Sequence, residues 1–413
     1  MNKINLLGIN VSTLSKQQVL KKIEQFLSHG KQHQVATPNP ELILEAHSDE
    51  EFFYILNKAD LAVPDGIGLK FAAWLIGKNI YRFAGADLVK EILESSKLKV
   101  KSLKVAVINW KRGLSQKEDI EKVLAKYPYL QFMVEDFDRE ISTAAQDFAS
   151  LRDFNPDIVF CTFGAPYQEK FIYHTLPKLP SVKIGIGVGG AFDFLTGKTK
   201  RAPKIMRIAG LEWLWRLIKH PWRLRRIYNA VVVFPYKFFK WRFVLPFLYR
   251  PNVACLLYKK ENKKYYILVV ERAEQPGHWQ LPQGGTDGLK IERAGIKELK
   301  EEINCNKFKV IKIFRNLYKY TFGCRKEENL ARAENCRKHT GYKGQKQNLL
   351  IAEFLGRDSD IKINFWDHVS WKWVNSENLA NEVHPTRQEA AKIFLDKFNT
   401  LKSTNFFKST NIN

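Results

Sequence analysis

Short apolar runs alternate with amphipathic helical segments along residues 4–200, and this alternation constrains the fold more than any other feature. Strands that alternate with helices are typical of a parallel, doubly wound sheet. We therefore expect a Rossmann-like α/β domain over residues 1–200. The predicted strands include Val35–Ala36, Leu61–Val63, Val105–Ile108, Phe132–Val134, Ile158–Phe160 and Ile184–Ile186, and the predicted helices include Lys16–Leu27, Glu41–Asn57, Gln116–Lys126 and Tyr167–Leu179.

The pattern changes after Pro251. Antiparallel-looking strands surround one strong helical segment, Ile291–Ile303, and a closing helix is expected near residues 387–397. This pattern predicts an α+β domain over residues 251–400, followed by a polar tail at 401–413. Two domains suit a chain of 413 residues.

The charge of the chain points to anionic partners. Its 67 Lys and Arg against 43 Asp and Glu give a net charge of +24, which favours phosphates, anionic lipid or nucleic acid as partners. Five scattered cysteines favour reduced thiols over a disulfide framework. No signal-peptide pattern opens the sequence and no apolar run is long enough to span a bilayer, so we expect a cytoplasmic protein.

Polar residues follow two of the predicted strands in the first domain. Thr37 and Asn39 come after Val35–Ala36, and Asp65 comes after the next strand, just before Gly66. Ligands of open α/β sheets bind where such strands end, so we expect these side chains in one crevice. A loop Asp beside Gly can equally be a helix cap with no further role.

Further segments converge on the same edge of the sheet. Arg82–Asp87 follows the Asp65 turn, while Cys161–Glu169 and Gly187–Asp193 follow two later strands. Glycines in such turns let backbone N–H groups approach a phosphate, although tight turns use glycine as well.

Together these motifs resemble the WecG/TagA/CpsF glycosyltransferases, family 26, over about residues 3–240. The motifs are Thr-Pro-Asn at 37–39, Pro-Asp-Gly at 64–66, Gly-Ala-Pro-x-Gln-Glu at 164–169, Gly-Gly-Ala-Phe-Asp-Phe-x-Thr-Gly at 189–197 and Arg-Ala-Pro at 201–203. The resemblance implies transfer of an N-acetylmannosamine-type sugar from a UDP donor to a polyprenyl-diphosphate-linked acetamido sugar, with inversion. It also implies a role in cell wall or surface polysaccharide synthesis.

The same resemblance implies roles for individual residues. Asp65 would be the general base that deprotonates the acceptor hydroxyl, in a pocket lined by Thr37, Asn39 and Arg82. The donor would be held by Gln168, Gly187, Gly189, Gly190 and Asp193. No cluster of metal-binding carboxylates is visible in this half of the sequence, so we expect no cofactor for the transfer. One departure stands out, because Asn109–Gly113, with Trp110, replaces the family's Gly-rich turn and could alter or obstruct the donor side.

Residues 201–250 form a basic segment rich in aromatic side chains. Three alternatives are open: an amphipathic helix with solvated arginines, a nucleic-acid-binding segment, or an appendage at the membrane interface. The family has a basic C-terminal appendage here. The resemblance implies that Arg216, Arg223 and Arg226 face the lipid diphosphate and that the protein associates peripherally with the inner face of the cell membrane.

Three glutamates mark a second site. Glu298, Glu301 and Glu302 share one face of the predicted helix, at positions i, i+3 and i+4. A solvated acidic face is the usual explanation of such a trio, and a bound cation is the alternative.

The preceding loop and this helix together resemble a Nudix box, and the resemblance covers about residues 251–400. It implies hydrolysis of a nucleoside diphosphate-linked compound, with Mg²⁺ or Mn²⁺ held by Glu298, Glu301 and Glu302. The segments Trp279–Gly285 and Tyr342–Gln347 are most similar to the RNA pyrophosphohydrolase and dinucleoside polyphosphate hydrolase branch. The loop after Gly285 is one residue short, and Leu289 occupies the position of an early Glu.

We therefore expect an enzyme with two activities: a transferase domain with a basic helical appendage, followed by an α+β Nudix domain. Its expected partners are a UDP-sugar, a polyprenyl-diphosphate-linked acceptor, an anionic membrane surface and a nucleotide, with oligomerisation left open. The alternative is a Nudix RNA or dinucleoside polyphosphate pyrophosphohydrolase with a nucleic-acid-binding segment and an inactive transferase domain.

Overall fold

The structure is a computed structural model that describes residues 2–28, 30–94, 103–140, 147–203, 205–206, 210–219, 221–322 and 340–404. These residues form two compact units, 1–240 and 241–413. Each unit is described by itself.

The first unit is built on a six-stranded sheet in the order β4-β3-β8-β7-β5-β6. All of its neighbouring strands run parallel, which confirms the predicted doubly wound sheet. A short antiparallel hairpin, β1–β2, precedes it. The strands are β1 (Lys3–Leu6), β2 (Ile9–Ser12), β3 (His33–Ala36), β4 (Leu61–Ala62), β5 (Leu103–Trp110), β6 (Leu130–Phe137), β7 (Ile158–Cys161) and β8 (Ile184–Gly187).

Helices alternate with these strands as the periodicity predicts, with one correction. The single helix expected over Glu41–Asn57 is two helices, because Asp49 adopts an extended backbone and its side chain accepts a hydrogen bond from Phe52 N, which starts a new helix. The helices are α1 (Lys16–Ser28), α2 (Pro40–Ala46), α3 (Glu50–Lys58), α4 (Ile67–Leu75), α5 (Gly85–Glu94), α6 (Lys117–Leu124), α7 (Ala149–Phe154), α8 (Tyr167–Thr175) and α9 (Ala191–Leu195).

Apolar side chains on both faces of the sheet form the core of this unit. Val105 and Val107 of β5 belong to one buried cluster, and Ala106 and Ile108 of the same strand belong to another. Successive residues of a strand point to opposite faces, so helices cover the sheet on both sides.

The described residues of the basic segment include the helices α10 (Glu212–Lys219), α11 (Leu224–Tyr228) and α12 (Phe234–Phe239), with π-helical stretches at Asn229–Val233 and Lys240–Val244. The last part of the segment packs against α2 and α4. Large apolar side chains remain exposed here, among them Trp222 and Phe239 on the segment and Trp74 on α4. Within the described residues, no helix is both long and apolar enough to cross a membrane.

The second unit is a seven-stranded mixed sheet with helices. The sequence suggests antiparallel strands throughout, but β9 and β14 pair in parallel over ten residues. The strands are β9 (Tyr249–Glu261), β10 (Lys264–Arg272), β11 (Trp279–Gln280), β12 (Gln283–Gly285), β13 (Phe308–Thr321), β14 (Gly344–Phe354) and β15 (His368–Asn375).

One long helix, α13 (Ile291–Ile303), lies against β9, β12 and β14 and has the bounds that the sequence predicts. It buries Ala294, Leu299 and Ile303 in the core on one side of the sheet. The other side is covered by α14 (Leu379–Glu382) and α15 (Gln388–Ser403). Helix α15 continues past the predicted start of the polar tail.

Candidate active sites

A cavity of about 730 Å³ lies at the carboxyl ends of the parallel strands in the first unit. Its wall is formed by residues that follow β3, β4, β7 and β8 and by the basic segment. Thr37, Asn39 and Asp65 all line it, so the structure brings these predicted residues together as expected for the crevice of an open α/β sheet.

Asp65 is held by the start of α5. Its Oδ2 accepts a hydrogen bond from Gly85 N, 3.2 Å away, at the first residue of α5. The cap position of α4 is taken by Gly66, whose φ of 128° is a conformation that glycine adopts without strain. The carboxylate therefore lies in the cavity beside an N-terminal helix amide, a place that favours its ionised form.

The other three residues predicted around Asp65 differ in their placement. Thr37 Oγ1 donates to the carbonyl of Gly187 at 3.3 Å, and the Asn39 side chain accepts from the first amides of α2. Arg82 does not itself line the cavity. It donates to Glu212 Oε2 at 2.6 Å, and Glu212 is the lining residue.

Gln168 lies in the cavity wall, and its carboxamide is buried and bonded to neighbouring protein groups. Its Oε1 accepts from the amides of Gly164 and Gly189, at 3.1 Å and 2.8 Å, and its Nε2 donates to Glu169 at 2.8 Å. A Cβ on Gly187 would overlap this side chain, which explains why glycine ends β8. Gln168 thus joins the two glycine-containing turns that follow β7 and β8.

Glu169 lies beneath these turns with no exposure to solvent. Burial raises the pKa of its carboxyl to about 7, against which the hydrogen bond from Gln168 acts. Its Oε2 has no hydrogen-bond partner among the described residues.

The remaining predicted donor residues lie on the turn after β8. Gly189, Gly190 and Asp193 line the cavity, while Gly187 lies behind them in the strand. Asp193 Oδ1 accepts from Ser115 Oγ at 2.7 Å and from Ser115 N at 3.1 Å, so a loop after β5 fixes its position.

Several cationic side chains complete the wall. Arg223 and Arg226 were predicted from the resemblance, and both line the cavity; Arg226 pairs with Glu41 through its Nε at 2.7 Å. The side chain of Arg216, on α10, lies outside the described residues. The sequence reasoning missed Arg139, Arg225 and Lys237 because lone cations in a basic chain carry no pattern of their own.

In the second unit, Glu298 and Glu302 are buried together on α13. Glu302 Oε2 accepts from Gln283 N at 3.1 Å and lies 3.3 Å from His368 Nε2. The Glu298 carboxylate fills the space that a side chain on Gly284 would need, so glycine is required there. Burial, with the charges of Glu302 and Glu298, raises the pKa of the nearby Cys255 thiol.

The third glutamate of the predicted trio is placed differently. Glu301 is partly exposed and pairs with Lys297 at 2.9 Å, one helical turn away. Leu289, at the early-Glu position, is exposed on the shortened loop. The two motifs predicted around this site do meet, because Gln347 Nε2 donates to Gln283 Oε1 at 2.7 Å.

These residues fit a hard divalent cation. In the part of the chain that the structure describes, no three acidic, His or Cys side chains form a complete metal cluster. Mg²⁺ nevertheless suits a pair such as Glu298 and Glu302, because it is usually bound by one or two carboxylates together with waters and substrate phosphates.

Comparisons with known proteins agree with this division. The Glycosyl transferase WecG/TagA/CpsF family matches residues 4–246, and the NUDIX domain matches residues 248–397. An N-acetylglucosaminyldiphosphoundecaprenol N-acetyl-beta-D-mannosaminyltransferase of Bacillus subtilis is 34% identical over 47% of this chain and 74% of its own length. An RNA pyrophosphohydrolase of Wolbachia from Brugia malayi is 33% identical over 37% of this chain and 91% of its own. The chain belongs to the WecG/TagA/CpsF glycosyltransferase family and carries a C-terminal Nudix hydrolase domain.

Proposed function

We propose that the first unit transfers an N-acetylmannosamine-type sugar from a UDP donor to a polyprenyl-diphosphate-linked acetamido sugar, with inversion. The observation that carries this proposal is the cavity in which Asp65 faces a wall of arginines and glycine turns. The cavity is large enough for a nucleotide sugar, since ligand pockets measure roughly 300–1,000 Å³. The activity named for the Bacillus relative supports the same substrate classes.

In this mechanism Asp65 takes the proton from the acceptor hydroxyl as that oxygen attacks the anomeric carbon. Attack from the face opposite the leaving UDP inverts the configuration. The amide of Gly190, just before α9, is placed to stabilise the diphosphate as its charge develops. The proposed chemistry requires no metal ion.

We propose further that the basic segment meets the lipid-linked acceptor at an anionic membrane surface. Arg223, Arg225 and Arg226 line the cavity, while Trp222 on the same segment is 75% exposed. Cations beside exposed aromatic side chains are typical of interfacial segments. Co-sedimentation of the intact protein with anionic vesicles tests this proposal, and binding to neutral and anionic vesicles alike would contradict it.

The transferase proposal is tested by incubating the intact protein with UDP-sugars and a polyprenyl-diphosphate-linked acetamido sugar in the presence of EDTA. We expect UDP release that requires the lipid acceptor and UDP-N-acetylmannosamine. Absence of acceptor-dependent release from every UDP-sugar would contradict the proposal.

For the second unit, we propose metal-dependent hydrolysis of a nucleoside diphosphate-linked compound, with 5′-triphosphorylated RNA as the first substrate to test. Glu298 and Glu302 would hold Mg²⁺ or Mn²⁺, which would neutralise phosphate charge and activate the attacking water. The RNA pyrophosphohydrolase relative favours the RNA substrate class. The test is phosphate and pyrophosphate release from 5′-triphosphorylated RNA, dinucleoside polyphosphates and nucleotide sugars with and without Mg²⁺. Release from none of them would contradict hydrolysis.

The competing proposal is an RNA-processing protein whose basic segment binds RNA and whose first unit is inactive. It predicts salt-sensitive RNA binding by the intact protein that is lost when Arg223, Arg225 and Arg226 are replaced by Gln, together with no sugar transfer. Sugar transfer by the same preparation would exclude it.

A further inference from the structure

Arg139, in the wall of the first unit's cavity, contacts two aromatic rings. Trp110 ends β5, Arg139 follows β6 by two residues, and Tyr167 begins α8. The guanidinium carbon of Arg139 lies 3.7 Å from the centre of the Trp110 ring and 4.8 Å from that of Tyr167. Both contacts are of the cation–π type, which favours a guanidinium over the ring face.

Two polar contacts fix the guanidinium further. Arg139 donates to the carbonyl of Phe163 through its Nη1 at 2.8 Å and to Glu140 through its Nε at 3.2 Å. The side chain is 25% exposed. A guanidinium has five N–H donors in a rigid plane, so these two bonds leave other donors for a ligand.

Arg139 lines the cavity beside Gly164, Gly189 and Gly190, whereas Trp110 does not line it. Trp110 stacks on Arg139, so its contact with the cavity is made through that arginine. Asp193, a lining carboxylate, has its Oδ1 bound to Ser115, and Glu140 compensates part of the arginine charge.

We propose that Arg139, held by Trp110 and Tyr167, binds the diphosphate of the nucleotide sugar donor. This inference rests on the proposed transferase function and assigns a donor contact to Arg139, which stacks on Trp110 of the turn that departs from the family. The rings restrict access to the faces of the guanidinium, so its N–H edge is the part that meets a ligand. That edge matches two phosphate oxygens, and Gly190, whose amide also suits phosphate, lines the same cavity. The arginines of the basic segment are left for the acceptor's own diphosphate.

Calorimetric titration of the intact protein with UDP, UMP and uridine tests this assignment. Arg139→Lys keeps the charge but loses the paired donors and the stacking, so we expect UDP to bind roughly 10-fold to 100-fold more weakly, as for one charge-assisted hydrogen bond pair. UMP should be affected less and uridine not at all. Arg112→Lys is the matched control, because Arg112 is exposed, pairs only weakly with Asp138 at 3.4 Å and does not line the cavity.

Two variants of the supporting ring separate positioning from folding. Trp110→Phe retains an aromatic face and should bind UDP nearly as the wild type does, whereas Trp110→Ala should bind it about 3-fold to 10-fold more weakly through loss of the cation–π contact. Melting temperatures of all variants report whether the fold is retained.

Unchanged UDP affinity in Arg139→Lys would overturn the inference and leave the transferase proposal standing. Equal weakening for UDP and uridine would also overturn it, because the contact would then be to the nucleoside. If the wild-type protein binds no UDP, the transferase proposal fails first and the inference falls with it.

Discussion

The two units use carboxylates in opposite surroundings. In the first unit Asp65 lines a large cavity whose wall carries several arginines and a helix-start amide. In the second unit Glu298 and Glu302 lie side by side, buried on one helix against a glycine turn. A carboxylate among cations can accept a proton while those cations hold the substrates' diphosphates, whereas two buried carboxylates on one helix face suit a divalent cation.

The largest difference between the two units is expected when the proposed base of the first unit is removed. Asp65→Asn keeps the size and the bond from Gly85 but cannot accept a proton. We expect acceptor-dependent UDP release to fall roughly 10²-fold to 10⁴-fold, with UDP binding retained. Asp153→Asn, at an exposed position of α7, serves as the control. Wild-type transfer by Asp65→Asn would exclude Asp65 as the base.

In the second unit the corresponding change is Glu302→Gln. It removes one of the two buried charges. Because losing even an outer-shell partner lowers metal affinity roughly 10-fold to 100-fold, we expect Mg²⁺ affinity to fall by that factor or more. Metal-dependent hydrolysis should fall with it. Glu292→Gln, exposed on the same helix, should change neither quantity. Titration calorimetry with Mg²⁺ measures the affinity without reference to turnover.

The third prediction concerns the pKa of Glu169, a buried carboxyl behind the cavity of the first unit. Its pKa of about 7 in the folded protein lies above the usual 4.5, so the folded state holds the proton more tightly than the unfolded state. Wild-type stability should therefore decrease as pH rises from about 4.5 to 7. Glu169→Gln mimics the protonated form and should be more stable than the wild type by on the order of 3 kcal/mol at pH 8. The two proteins should match near pH 4.

Denaturant unfolding at pH 4, 6 and 8 measures this difference. Glu118→Gln, exposed on α6, is the control: the difference between its unfolding free energy and that of the wild type should not change with pH. A Glu169→Gln protein that is less stable than the wild type at pH 8 would mean that the carboxylate is ionised and compensated in the folded state.

The smallest expected effect concerns the basic segment. Arg226 pairs with Glu41 on the surface, with 61% of the arginine side chain exposed. A double-mutant cycle of Arg226→Gln and Glu41→Gln should give a coupling of roughly 0.2–1 kcal/mol in unfolding free energy. A coupling of several kcal/mol would show that this contact anchors the segment over the cavity.

The sequence predicts the central strands β5, β7 and β8 well, because each is a short apolar run buried on both faces. It did not predict the break before α3, where Asp49 caps a new helix inside a continuous helical pattern. The parallel pairing of β9 with β14 joins segments nearly a hundred residues apart, and local periodicity carries no information about it.

Dense motifs predicted many of the residues that line the cavity, although Arg82 and Gly187 do not line it, and isolated residues were missed. Asp65, Gly189 and Asp193 line the cavity as their motifs imply. Gln168 also lies in the wall, but its amide is bound to two turns, an orientation that a motif does not encode. Arg139 belongs to no motif. Only the fold, which places it against Trp110 and Tyr167, distinguishes it from the other cations of the chain.

The central claim is that one chain carries two chemically independent sites. The most direct test assays both reactions, acceptor-dependent UDP release and Mg²⁺-dependent release of pyrophosphate or phosphate from 5′-triphosphorylated RNA, on the intact wild type, Asp65→Asn and Glu302→Gln. We predict that Asp65→Asn loses only the transfer and Glu302→Gln loses only the hydrolysis. Loss of both reactions in either variant, with the fold retained, would contradict two independent sites.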